Sequence, residues 1–194
     1  MTDNELSVLW RGQWPACSPM AETLKLAYPD RWVRFHSLPE SKRYAENEGE
    51  YEILLRRYNS VLDELFHGQE VRIITTSWSN DPEPPPRSAT HLRWHRGARY
   101  WMSVCTDEDE TDPDFITYTH LYASRAAWRF GSIDDLLHAV ADDATRGVMI
   151  TSLSFDRINH PYDGGSDVLL PTTADRDAMK HRHTDWLSSH PSGL

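Results

Sequence analysis

The sequence predicts an α/β domain, α+β-like in character, with helices packed on a single mixed, partly antiparallel sheet of about five to seven strands. Two observations lead to this prediction. A long amphipathic helix stands between two strand-like segments, and several short β-rich segments follow it in close succession. Because no linker divides the 194 residues, we expect one globular domain over residues 1–194, with a less regular segment at 1–30.

The first half of the chain predicts a strand, a long helix and a second strand. A helical turn near Leu6 and a short helix at 21–27 come first, and residues 31–36 then alternate as a half-buried strand does. The long helix places its apolar residues at three- and four-residue steps, and Gly68 is suited to end it. The residues of this stripe are Tyr51, Leu54, Leu55, Tyr58, Leu62 and Leu65. Because a β-branched strand follows at 71–78, a right-handed crossover is expected to pair the two strands in parallel.

The second half of the chain predicts short strands and two helices. Segments 91–95 and 99–105 are strand candidates that a short turn joins as a hairpin, and 115–122 is a third candidate. A helix is expected to begin at Ser132, a hydroxyl N-cap, and to close at Gly147. The antiparallel meander that these strands predict argues against a purely parallel sheet.

Two more strands and a last helix complete the predicted order. Residues 148–153 are apolar enough for an inner strand, and 168–170 form a short strand after a turn. Thr172 is a candidate N-cap for the last helix, with Asp175 three residues further on.

The balance of charge limits the classes of partner. The chain has 30 acidic and 20 basic residues, a formal net charge of −10, which repels nucleic-acid phosphates and anionic membrane surfaces. We therefore expect no nucleic-acid partner and no membrane partner. The excess of acid is typical either of a solvated surface or of a surface that meets a basic protein partner, and the oligomeric state stays open.

Several signals of compartment and cofactor are absent. Cys17 and Cys105 lack metal or redox spacing, the N-terminus lacks the apolar region of a secretory signal, and no segment approaches a membrane span. We expect a cytoplasmic protein with no cofactor and no metal.

The acidic run 107–114 lacks the glycine and the closing glutamate of a calcium loop, which favours a solvated loop. The proline-rich segment 80–86 is either a ligand for a partner or a stiff exposed loop, and the loop is favoured.

The most chemically concentrated stretch is 158–170. Its Asp-Gly-Gly sequence at 163–165 suits a turn with positive φ that brings neighbouring polar groups together. In a structural interpretation, this turn and the apolar run behind it explain the stretch without a ligand. In a functional interpretation, His160 acts with Asp163 or Asp167 as a base and its orienting group, or as part of a metal site.

A basic cluster near the first strand is a second candidate site. If strands 31–36 and 71–78 are parallel, the loop after the first lies at a carboxyl edge, where α/β proteins often hold ligands. Alternatively, Lys42 and Arg43 only offset the acids at 46–52. The candidate ligand-binding or anion-binding residues are Arg34, His36, Lys42, Arg43 and Tyr162.

Three segments resemble segments in a set of uncharacterised bacterial proteins. They are DRWVRFHSLPESKRY at 30–44, HPYDGGSD at 160–167, and DWLSSHPSGL at 185–194, which contains the pattern WLSxHPxGL. The resemblance implies a bacterial origin and a shared fold. It implies no activity and no catalytic residue.

Two hypotheses of function follow, and whether the protein is an enzyme stays open. The motifs G-x-S-x-G, H-E-x-x-H and G-x-G-x-x-G are absent. The favoured hypothesis is therefore a non-enzymatic protein-interaction module, immunity-like or antitoxin-like, with an acidic surface and exposed aromatic side chains that face a basic partner. The alternative is a small hydrolase acting on a phosphorylated or anionic substrate, which requires His160, Asp163 and Asp167 to line one cleft near Arg34 or His36.

Overall fold

One seven-stranded sheet and six α-helices form the part of the chain that the computed structural model describes, residues 3–106, 112 and 115–188. The strands are β1 (Trp32–His36), β2 (Glu70–Ser79), β3 (Arg99–Cys105), β4 (Tyr118–Ala127), β5 (Met149–Ser152), β6 (Ile158–Tyr162) and β7 (Gly165–Leu169). The helices are α1 (Asp3–Gln13), α2 (Ala21–Ala27), α3 (Glu48–Phe66), α4 (Ala89–Trp94), α5 (Asp134–Ala141) and α6 (Thr173–Arg182).

The strand order is β1-β7-β6-β5-β2-β4-β3, and every neighbouring pair is antiparallel. The predicted class, helices packed on one sheet within an α+β fold, is confirmed. The predicted parallel pairing of β1 with β2 is wrong, because three strands that come later in the chain lie between them. The α3 crossover therefore joins strands that point the same way without touching.

The segment predicted as a strand at 91–95 is helical instead, so the predicted hairpin with 99–105 is also wrong. The side chain of Ser88 caps α4, its hydroxyl accepting the backbone N–H of His91 at 3.2 Å. An N-cap of this kind stabilises a helix over the short strand that was predicted here. The next predicted strand, 115–122, begins at Tyr118.

The two helix starts with hydroxyl caps have different outcomes. The helix expected at Ser132 begins at Asp134 after Ile133, which makes no side-chain cap, and it ends at Ala141 rather than at Gly147. The cap of α6 is confirmed, because Thr172 accepts the backbone N–H of Asp175 at 3.1 Å.

The sheet separates two hydrophobic clusters, because alternate residues of a strand face opposite sides. Ile73 belongs to the cluster on the side of α3, together with Leu62, whereas Ile74 belongs to the cluster on the side of α1, together with Trp10 and Phe155. We call these sides the α3 face and the α1 face. Each helix layer thus covers one face.

The segment expected to be less regular, 1–30, contributes two helices to the α1 face. The Trp14 indole donates to the backbone oxygen of Phe155 at 2.7 Å, and the Trp10 ring lies 5.5 Å from the Phe155 ring. Among the described residues, no helix combines the length and apolarity that crossing a membrane requires. Apart from Asp112, the acidic run 107–111 and 113–114 lies outside the described residues, as does the end of the chain from 189 onwards.

Candidate functional site

The stretch 158–170 forms the β6–β7 hairpin. Asp163 and Gly164 make its two-residue loop, and the register places His160 opposite Asp167. The backbone therefore reverses as predicted. The positive φ expected at 163–165 is not found, so the glycines serve a purpose other than left-handed backbone.

The close approach of β1 explains why position 165 is a glycine. A Cβ at this position would lie 2.3 Å from the backbone oxygen of Phe35, a distance that no real side chain tolerates. The register pairs His36 with Gly165 and Arg34 with Asp167. The missing side chain thus lets β1 bring its polar residues alongside the hairpin.

The hairpin, β1, α2 and the loop after α5 enclose a cleft of about 510 Å³. Seven of the eight residues singled out in the sequence line it, and Lys42 does not. The seven are Arg34, His36, Arg43, His160, Tyr162, Asp163 and Asp167. Residues of the cleft that sequence analysis missed include Lys25, Asp143 and Arg146.

Asp167 is the buried charge of the cleft, only 1% exposed. One carboxylate oxygen accepts the Nε–H of Arg34 at 3.2 Å, and the other pairs with the Lys25 ammonium at 3.2 Å. The Tyr162 hydroxyl approaches the first oxygen at 3.5 Å. Two cations therefore share one carboxylate at this point of the cleft. Over the whole lining the charges balance, because Glu22 brings the acids to four, against four lysine and arginine side chains.

His160 lies beside this group, but no carboxylate orients it. Its Nδ1 lies 2.9 Å from the backbone oxygen of Val148, so Nδ1–H donates and Nε2 is the nitrogen that can accept a proton. Neither Asp163 nor Asp167 bonds to the imidazole, so the predicted pairing of a base with an aspartate is not formed. A histidine held in this tautomer is suited to general-base chemistry.

Two ion pairs with balanced charge form the rim of the cleft. Asp163 accepts from Arg43 at 2.9 and 2.8 Å, and this hydrogen bonding raises the pKa of the Arg43 guanidinium. Asp143 accepts from Arg146 at 2.6 Å, which lowers the pKa of the Asp143 carboxyl. Both residues of this second pair lie beyond the end of α5 at Ala141, so no helical spacing in the sequence marked the pair in advance.

His36 and Tyr162 are uncharged polar walls of the cleft. Burial, together with the nearby Arg34 guanidinium, lowers the pKa of His36, and its buried Nε2 has no partner among the described residues. Burial and then the Asp167 carboxylate raise the pKa of Tyr162 far above its ordinary value, so its hydroxyl stays protonated. The Arg34 guanidinium lies 5.4 Å from the centre of the Tyr162 ring, which holds it in place.

Lys42 and Arg43 are neighbours with different roles. The Lys42 ammonium bonds both carboxylate oxygens of Glu50, at 2.7 and 2.8 Å, and reaches Glu46 at 3.0 Å. The hydrogen bond to Glu50 raises the pKa of Lys42. Lys42 thus offsets local acids, as one of the two interpretations predicted, whereas Arg43 turns to the cleft.

A second cavity, of about 620 Å³, adjoins the cleft and shares the loop 143–147 as a wall. Six of its fifteen lining residues carry a hydroxyl group, and the exposed ring of Trp78 also lines it. Among the described residues, no three histidine, cysteine or acidic side chains stand together in a way that could hold a metal ion.

Fold and site together define an α+β protein with a polar cleft, lined by charged side chains of both signs, at a hairpin of its antiparallel sheet. The chain belongs to the family of the domain of unknown function DUF3885, whose model matches residues 20–191. No curated protein and no solved structure matches the chain. The match is consistent with the resemblance to a set of uncharacterised proteins, and it includes every residue of the cleft named above.

Proposed function

We propose that the protein is a small hydrolase that binds a phosphorylated or otherwise anionic substrate in this cleft, with His160 as general base. The observation that carries the proposal is the pair of cations, Lys25 and Arg34, that share the buried carboxylate of Asp167 beside His160. The interaction module favoured by sequence analysis becomes the second candidate, because the cleft gathers the residues that the hydrolase requires.

The cluster at Asp167, where two cations face one carboxylate, gives this point of the cleft its preference for anions. No described residue bonds the two terminal nitrogens of Arg34, since Asp167 takes its Nε–H. A guanidinium edge that is free in this way can donate two parallel hydrogen bonds to a phosphate or a carboxylate. The imidazole of His36 adds a further polar wall to the same cleft.

The hydrolytic step needs only groups already in the cleft and water. The Nε2 of His160 takes a proton from a water molecule, whose oxygen attacks the phosphorus or the carbonyl carbon of the bound ester. The bond to the leaving oxygen then breaks, and that oxygen receives the proton from His160. The Arg34 guanidinium and the protonated Tyr162 hydroxyl stabilise the charge that develops on the remaining oxygens.

Turnover of a generic ester tests the proposal. We expect wild-type protein to hydrolyse p-nitrophenyl phosphate, His160→Gln to lose about 10²-fold or more in kcat, and Arg34→Gln to raise KM. His67→Gln is the matched control, because His67 is exposed at the end of α3 and lies outside the cleft. Wild-type rates in His160→Gln, or a wild type that neither hydrolyses the ester nor binds inorganic phosphate, would contradict the proposal.

A second candidate function is docking of a protein partner through exposed aromatic rings. Trp78 is 74% exposed and Phe115 is 66% exposed. The register pairs Trp78 with Thr119, shortly after Phe115, so both rings belong to the same end of the sheet. Aromatic side chains are favoured anchors of interfaces, and the net charge of −10 would attract a basic partner.

Affinity purification from a native lysate decides on this second candidate. We expect tagged wild-type protein to retain one basic protein at a fixed stoichiometry, and Trp78→Ser to lose it. Phe130→Ser, which alters another exposed ring, 58% exposed, is the control. If Trp78→Ser retains the same proteins as the wild type, the aromatic end of the sheet is not the docking surface.

A further inference from the structure

A separate cleft of about 290 Å³ lies at the opposite end of strands β2, β3 and β4 from Trp78. All of its charged lining residues are arginines, namely Arg72, Arg96, Arg99 and Arg125. The chain as a whole has ten more acidic than basic residues, 30 against 20. Four arginines surround one concave site with no acid in its lining, so the local charge is opposite in sign to the net charge of the molecule. We call this site the arginine cleft.

The sheet itself forces these guanidinium groups together. The register places Arg72 of β2 directly opposite Arg125 of β4, and Arg99 of β3 directly opposite Ala123. Because residues two apart on a strand share a face, Ala123 and Arg125 lie on the same side of β4. Three arginines thus form a row across three adjacent strands, with a small alanine between them. Like charges directly opposite each other on neighbouring strands destabilise a sheet.

Only part of this charge is compensated within the protein. Arg72, 3% exposed, donates from Nε and a terminal nitrogen to the backbone oxygen of Leu153 at 3.1 and 3.0 Å, and Arg125 pairs with Glu70 at 2.7 Å. Burial and the charge of Arg125 lower the pKa of Arg72.

The two outer arginines are free of such compensation. Among the described residues, none makes a hydrogen bond or an ion pair with the side chain of Arg96 or of Arg99, and both residues are exposed. Of the three exposed arginines of the cleft, only Arg125 pairs with a carboxylate, that of Glu70.

We propose that the arginine cleft binds a ligand that carries two or more phosphate groups. Of the strand arginines, Arg99 and Arg125 are the exposed pair, and one strand spacing and two residues separate them. Their backbones therefore lie roughly 8 Å apart, which is more than one phosphate group covers. A chain of two phosphates presents several oxygens over that distance, and each exposed guanidinium can bond them in a fork. The site is independent of the proposed hydrolytic cleft, because the two share no lining residue.

Calorimetric titration of the full chain with inorganic pyrophosphate, at constant ionic strength, tests this site. We expect saturable binding that is tighter for pyrophosphate than for orthophosphate, and an affinity at least about tenfold weaker in the double variant Arg96→Gln/Arg99→Gln. Both substitutions are at exposed positions, and thermal unfolding of the variant verifies that it folds. A nucleoside diphosphate is the second titrant. Tighter binding than pyrophosphate places a base near Tyr100, and equal binding assigns recognition to the phosphates alone; either result supports the site.

Matched variants separate this site from the rest of the surface. The double variant Arg56→Gln/Arg129→Gln removes the same charge from exposed positions outside the arginine cleft, and we expect it to bind pyrophosphate as the wild type does. Arg34→Gln, which disables only the hydrolytic cleft, should also leave this affinity unchanged. Absence of pyrophosphate binding to wild type at millimolar concentration, or equal weakening by both double variants, would overturn the proposal.

Discussion

At the scale of single residues, position 165 requires a glycine because the backbone oxygen of Phe35 lies too close for any Cβ. The Asp-Gly-Gly sequence predicts a turn, and the turn exists at 163–164. The reason for Gly165, however, is the backbone oxygen of Phe35, 130 residues earlier in the chain. Only the pairing of β1 with β7 reveals that contact.

The substitution Gly165→Ala should therefore destabilise the protein. Its Cβ would lie 2.3 Å from the Phe35 oxygen, and because both are held by the sheet, the strands must shift apart. We expect a loss of about 1–3 kcal/mol in the free energy of unfolding, measured by urea denaturation. Gly12→Ala is the control, since nothing lies within 4 Å of a Cβ there and alanine is favoured in a helix by about 0.5–1 kcal/mol. Equal stability of the two variants would show that β1 does not approach the hairpin this closely.

Lys42 and Arg43 mark the limit of prediction at this scale. Adjacent basic residues in one loop look interchangeable, and the sequence left both interpretations open. The structure assigns Lys42 to Glu50 and Arg43 to Asp163, because the backbone directs the two side chains to different places. That direction depends on the local turn, where Glu40 and Ser41 have φ of 55° and 59°.

At the scale of secondary-structure elements, α4 is a helix where a strand was predicted, because an N-cap and a buried polar contact stabilise the helix. Residues 91–95 alternate as a strand would, yet Ser88 caps a helix. The helix delivers His95 to the sheet, 3% exposed, where its Nδ1 lies 2.9 Å from the Thr75 hydroxyl and its Nε2 lies 2.6 Å from the Ser124 hydroxyl. Burial, with the nearby Arg87 charge, lowers the pKa of His95 to about 4.

This buried histidine makes the stability depend on pH. The unfolded chain takes up a proton at His95 below pH about 6.5, whereas the folded protein takes it up only near pH 4, so stability falls as the pH drops between those values. At pH 5 the loss from His95 amounts to about 2 kcal/mol relative to pH 7. We expect His95→Gln to reduce the difference in unfolding free energy between pH 7 and pH 5 by about that amount. His120 and His36, whose pKa values are also lowered, keep part of the pH dependence.

The exposed His67 provides the comparison for this measurement. His67→Gln replaces an exposed imidazole at the end of α3 without disturbing the contacts under α4. Its pH dependence should match that of the wild type. If His95→Gln shows the wild-type difference between pH 7 and pH 5, His95 is not held neutral beneath α4.

At the scale of the whole molecule, local patterns predict the elements but not the order of the strands. The amphipathic stripe of α3 and the β-branched run of β2 indicate a crossover, and both elements exist as expected. The partners of β1 and β2 could not be predicted, because β5, β6 and β7 fill the sheet between them only after the chain has passed through both.

The cleft forms because of this order of strands in the sheet. Its charged residues come from α2, β1, the loop after β1, the β6–β7 hairpin and the loop after α5, which the sheet gathers at one place. Sequence analysis found the residues in dense or basic segments, and it missed Lys25 and Arg146, which stand in segments that gave no signal of a site. The charged cluster could not be predicted from separate segments, because it forms only where the fold brings Lys25 and Arg34 together at Asp167.

Imidazole ¹⁵N–¹H correlation spectra, recorded during a titration with inorganic phosphate at pH 7, test most directly whether this assembled cleft holds anions. We expect the resonances of His160 and His36 to shift saturably while those of exposed His67 stay fixed, and Arg34→Gln to abolish the shifts. Binding in the arginine cleft leaves both signals unchanged, because neither histidine lines that site. A His160 signal that does not move with phosphate, or that moves equally in Arg34→Gln, would contradict the assignment of the cleft as the site of an anionic substrate.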